Sequence, residues 1–165
     1  MSSFRATGTL RIALLGGLAL TGAVSAGAQE TVTISVPLAV SFPVTDVSRS
    51  TSGTPGVTRI TFSNANLTPG KALRVSVQAD AAAFTPPSGS SIPVSAVSWT
   101  RAGVNGGNGW GGTLSASFYA LVFQSNPATP SGYMDLEWTM AAPPSGIRAG
   151  NHQLTIRWKL ESITP

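Results

Sequence analysis

The stretch TVTISVPLAVSFPV, residues 31–44, decides the fold. Its even positions, Val32, Ile34, Val36, Leu38, Val40, Phe42 and Val44, are all apolar, whereas the odd positions carry Thr, Ser, Ala or Pro. A side-chain period of two is strand geometry, with one oily face and one polar one. Pro37 and Pro43 share the odd parity. Residues of one parity aim their backbone N–H groups at the same neighbour, so only one pairing side loses donors. The segment therefore reads as an edge strand or an arm. At about 3.3 Å per residue it would span roughly 43 Å if straight, so it either bends at Pro37 into two strands or projects from the body.

The residues before this stretch have the organisation of a secretory leader. Arg5 and Arg11 give a positive start, Ile12 to Leu20 an apolar centre, and Ala26-Gly27-Ala28 a small-residue cleavage site. The apolar centre is too short to span a bilayer. Residues 1–28 are thus expected to be a signal peptide, 29–44 an N-terminal strand or donor arm, and 45–165 a β-sandwich domain. Cleavage after Ala28 removes 28 of 165 residues and leaves 137, enough for one domain with its own core. The destination is the periplasm, then the cell surface or the medium, with no membrane span after cleavage.

Cysteine is absent, so neither a disulfide nor a lipid-modified cysteine is available. Without Arg5 and Arg11 the ten basic residues become eight, against six acidic, for a net +2. Nothing clusters Lys or Arg as a nucleic-acid footprint requires.

Downstream, KALRVSVQAD (residues 71–80) alternates Leu73, Val75, Val77 and Ala79 with polar residues. YMDLEWTM (133–140) turns Met134, Leu136, Trp138 and Met140 inward, and the last strand, 150–162, does the same with Leu154, Ile156, Trp158 and Leu160. Shorter strands are expected around Ile60 and over 92–99, and residues 113–124 read as a central strand, with a helix over 115–123 as the competing assignment. RAGVNGGNGWGG, residues 101–112, holds six glycines in twelve positions and reads as a long flexible loop. Short strands between Gly/Pro turns, with no helical period after residue 28, indicate an all-β, two-sheet antiparallel sandwich.

Candidate chemistry is thin. His152 is the only histidine, and no serine stands in a Gly-x-Ser-x-Gly turn, so no enzymatic activity is expected. Asp135 and Glu137 share one strand face but read as solvated carboxylates that pair across strands with Arg157 and Lys159 rather than as a metal site. No cofactor is implied. Trp110, within the glycine-rich run, is a candidate to stack on a sugar, or alternatively to close one end of the sandwich.

Three stretches carry a resemblance: the alternating segment Glu30 to Val44, IPVSAVSW at 92–99, and RAGNHQLTIRWKL at 148–160. Together they resemble the cysteine-free alpha-type subunits of bacterial chaperone–usher pili and, more loosely, spore coat U-like secreted proteins. The resemblance implies an incomplete immunoglobulin-like fold, completed by a strand that a neighbouring subunit donates. Val32, Ile34, Val36, Leu38, Val40, Phe42 and Val44 would form the donor, and Leu154, Ile156, Trp158 and Leu160 one wall of the acceptor groove. Its implied partners are copies of the chain or related surface subunits, with a periplasmic chaperone. The alternative is a stand-alone carbohydrate-binding or adhesive module using Trp110.

Overall fold

A computed structural model describes residues 2–5, 10–14, 29–86 and 89–165, the first two stretches as backbone. The chain is all-β. Its strands are β1 (Ser2–Arg5), β2 (Leu10–Leu14), β3 (Glu30–Ser35), β4 (Ser41–Phe42), β5 (Thr51–Ser52), β6 (Thr58–Asn66) and β7 (Ala72–Ala79). They continue as β8 (Val97–Asn105), β9 (Gly107–Gly109), β10 (Gly112–Thr113), β11 (Ala120–Ser125), β12 (Gly132–Met140) and β13 (His152–Ile163). One sheet runs β4-β1-β13-β7-β11-β9 and the other β10-β8-β12-β6-β3-β2, with β5 on the end of β12. Every strand pairing is antiparallel except that of β1 with β13.

The two sheets enclose one core because period-two side chains from both face inward. β12 contributes Met134, Leu136, Trp138 and Met140, all buried, against Val75, Val77 and Phe123 of the opposite sheet. Phe62 meets Phe123 across the layers with ring centroids 5.5 Å apart, and Trp99 lies 5.5 Å from Trp138. The Trp138 indole donates to Thr58 Oγ1 at 2.8 Å, which satisfies its polar atom inside an apolar core.

The opening segment bends rather than projects. β3 ends at Ser35, residues 36–40 form no strand, and β4 resumes at Ser41 in the other sheet, so Pro37 sits where the chain crosses between layers. Two stretches of the segment read as a leader are strands here, β1 and β2. The leader's apolar centre beyond Leu14 and its Ala26–Ala28 cleavage site lie outside the described residues.

Three expectations are corrected. Residues 101–112 are not a loop: β8 runs through Asn105, and β9 and β10 follow. The glycines are there for space, since a Cβ on Gly109 would stand 2.5 Å from Met134 Sδ and one on Gly112 2.6 Å from Trp99 Cζ2. Of residues 113–124, only those from Ala120 form the main strand, and 114–119 loop across to β7. Asp135 does not pair with Arg157 or Lys159, which lie on the opposite sheet. Arg59 on neighbouring β6 grips it instead, with nitrogen–oxygen distances of 2.6 and 2.7 Å, and this fork holds the Asp135 carboxyl below the usual carboxylate range against the cost of desolvation.

Candidate functional site

The candidate site is built by β13, β4 and β3. β13 is twelve residues long, with apolar and polar residues alternating from Gln153 to Glu161 and no proline or glycine to interrupt it. One of its edges is bonded to β7 along Ile156–Ile163. Among the described residues the other edge meets only β1, over His152–Thr155, and β1 in turn pairs with β4 at Ser41 and Phe42. Among the described residues, β1 is the sole link between β4 and β13 within this sheet.

The inward side chains of β13 change character along its length. Leu154 and Ile156 are buried in the core, whereas Trp158 and Leu160 are half-buried and pack at its margin. The Trp158 indole nitrogen is buried without a hydrogen-bond partner among the described residues. All four expected groove residues therefore line one face, and the two nearer the C-terminus are incompletely covered. At the other end a cleft of about 320 Å³ opens between β4 and β13, lined by Val44, Val47, Ile92, Ile147, Arg148 and His152.

The residues expected to form a donor arm are packed in this chain's own sandwich. Val32 and Ile34 on β3 and Val40 and Phe42 around β4 belong to the core; Val36 and Val44 pack against it, and Leu38 is 63% exposed. β3 pairs with β6 on one side and with β2 on the other. Its N-terminal end is fastened by Glu30, which accepts from the Thr68 backbone N–H at 2.9 Å and lies 3.5 Å from Lys71 Nζ. The Thr68 hydroxyl contributes most to lowering the Glu30 carboxyl to about 2, and the Thr68 N–H and Lys71 act in the same direction against desolvation. Ser162 Oγ of β13 stands close by, outside hydrogen-bond geometry. This clamp was invisible in the sequence, where Glu30 and Thr68 are 38 positions apart.

His152 is buried and tied down. Its Nε2 lies 3.0 Å from the Arg148 carbonyl, an acceptor only, so Nε2 is the donor of that bond, while Nδ1 is buried without a partner among the described residues. Trp110 is 40% exposed; its carbonyl accepts from the Trp99 indole at 2.8 Å, and its own N–H donates to the Val122 carbonyl. Phe118 and Tyr119 are exposed nearby in the chain, a pairing that the strand assignment over 113–124 concealed. Among the described residues, no cluster of three metal-ligating side chains occurs, and no helix is long and apolar enough to cross a membrane. No family model, curated protein or solved structure matches the chain.

Proposed function

We propose that the mature chain is a secreted structural subunit of the fimbrial kind, which assembles with copies of itself by strand addition. The observation that carries this reading is the single-strand bridge between β4 and β13. Its strand, β1, lies within the segment that reads as a signal peptide. With that segment cleaved, the sheet loses the strand between β4 and β13, which supports reading the mature chain as a sandwich one strand short. The vacated edge of β13 offers twelve residues of unpaired backbone beside Leu154, Ile156, Trp158 and Leu160, a template for an extended segment from another chain.

The donor in this reading is the start of the mature chain. β3 carries Val32 and Ile34 with Val36 just beyond, and residues 36–40, strandless and containing exposed Leu38, supply the hinge. β3 leaves β6 of its own body and lays the same oily face along β13 of the next. Moving it sacrifices its contacts with β6 at home and replaces them with backbone pairing and apolar burial along β13 of the neighbour. β4 stays in place on its own sheet. The reading assigns the protein no catalysis.

The test is native mass spectrometry of residues 29–165, and of the same chain lacking 29–36, each with and without a synthetic peptide of residues 29–40. The intact mature chain is expected to form concatemers, while the truncated chain is expected to stop as a monomer that captures one peptide. An intact mature chain that stays monomeric and takes up no peptide refutes the proposal.

A further inference from the structure

The outward face of the six-stranded sheet gathers features that strand addition does not use. Strand register places Gln78 and Arg157 in one row across this face, with Leu121, Ser76 and Lys159 in the next and Gln124, Arg74 and Glu161 in a third. The alternation that turns the Cα of Gly109 toward Met134 turns Trp110 outward, and the bond from its N–H to the Val122 carbonyl sets it beside β11. Trp110 thus lies beside β11, and Tyr119 immediately precedes that strand in the chain. Tyr119 is held there because its loop is anchored to β7 by Gln78 Nε2 donating to the Ala116 carbonyl at 2.7 Å and the Ala79 N–H to Ser115.

These aromatic rings are exceptional in their exposure. Trp110, Phe118 and Tyr119 are the only aromatic residues among the exposed large apolar side chains described, and they fall within ten residues of one another. The charges beside them are unbalanced. Arg74, Arg157 and Lys159 outnumber the two acids of the face, Glu161 and, at the end of β7, exposed Asp80, and Glu161 is already 2.7 Å from Lys159 Nζ. Among the described residues no ion pair involves Arg157, which is exposed. Lys159 Nζ stands 5.6 Å from the centre of the Tyr119 ring, so the cationic and aromatic groups form one surface.

We propose that this face binds an anionic polysaccharide, with Trp110 and Tyr119 stacking on pyranose rings and Arg157 holding a uronate carboxylate. Aromatic faces take the apolar C–H side of a sugar, and the planar guanidinium fork matches a carboxylate. The positive balance of the face selects an acidic polymer over a neutral one. This proposal stands apart from the strand gap, because it uses the outward face of the sheet and not its edge.

The test uses the mature chain, residues 29–165, in affinity electrophoresis and calorimetry against polygalacturonate, neutral dextran and duplex DNA at low salt. Polygalacturonate is expected to bind and dextran not to. Trp110→Ala and Tyr119→Ala are each expected to weaken binding by roughly three- to tenfold, and Arg157→Gln by about tenfold, with melting temperature and assembly state unchanged. Absence of binding, binding that survives the aromatic substitutions, or equally tight binding of DNA overturns the proposal, the last two because bare charge would then suffice.

Discussion

Replacing Glu30 by glutamine tests the fastening of β3 directly. The carboxyl moves from an ordinary 4.5 to about 2 on folding. At about 1.4 kcal/mol per pKa unit the ionised form is favoured in the folded state by at most roughly 3.5 kcal/mol. Partial solvent contact at Lys71, whose side chain is 37% exposed, brings that closer to 1–3 kcal/mol. The sign follows from the lowered value: the unfolded strand holds the proton more tightly, so this stabilisation is complete above about pH 4.5 and is lost as the pH falls through about 2. Because Glu30 opens the first strand of the mature segment, the loss is felt first as local detachment of β3 rather than as global unfolding. Hydrogen exchange of the Thr31–Ser35 amides in the full chain, residues 1–165, where β3 sits on its own β6, reads it. At pH 7 Glu30→Gln is expected to raise their opening roughly 5- to 100-fold, and the difference from the unaltered chain should shrink towards zero by pH 2. Comparison at matched pH cancels the titration of Asp46 and Asp135, whose carboxyls are also lowered, by the Ser48 hydroxyl and by Arg59 respectively. Equal protection of the two chains at pH 7, or a difference that persists unchanged at pH 2, would refute the reasoning.

Two further outcomes follow from the core. Gly112→Ala puts a methyl 2.6 Å from the Trp99 ring, which is itself wedged against Trp138 and has nowhere to go, so chemical denaturation should show a loss of about 1–3 kcal/mol. Gly56→Ala, where an added Cβ meets nothing within 4 Å, is the matched control and should stay within about 0.5 kcal/mol. Trp138→Phe removes the 2.8 Å bond to Thr58 and part of a fully buried ring; a loss of roughly 2–4 kcal/mol by urea titration is expected, and a loss below about 1 kcal/mol would mean the site repacks freely.

The sandwich was legible wherever alternation was clean. Met134, Leu136, Trp138 and Met140 could be turned inward from sequence alone because nothing on β12 interrupts the period of two, and the same holds for Leu154 and Ile156. The run at 101–112 misled because glycine is read by its backbone freedom. Here Gly109 and Gly112 are chosen for the missing side chain, and the ring or thioether that takes their space comes from Met134 and Trp99, whose proximity no local pattern reveals. Asp135 was paired with the wrong cations for a related reason. Its face was correctly read as outward, but which strand lies alongside is a matter of sheet order, and β6 rather than β13 is the neighbour. At the candidate site, the oily faces of β3 and β13 could be seen in the sequence. The covering of β13 over only four residues, and the lock of Glu30 on Thr68, depend on register between segments far apart in the chain.

The tilted Trp99–Trp138 pair joins adjacent strands β8 and β12 at the centre of the molecule. Two indoles held at a fixed skew couple their electronic transitions, so circular dichroism of this protein should carry an exciton couplet that neither ring produces alone. That optical signature would vanish in Trp138→Phe. In the unaltered protein it would report whether the centre of the molecule stays rigid while β3 comes and goes.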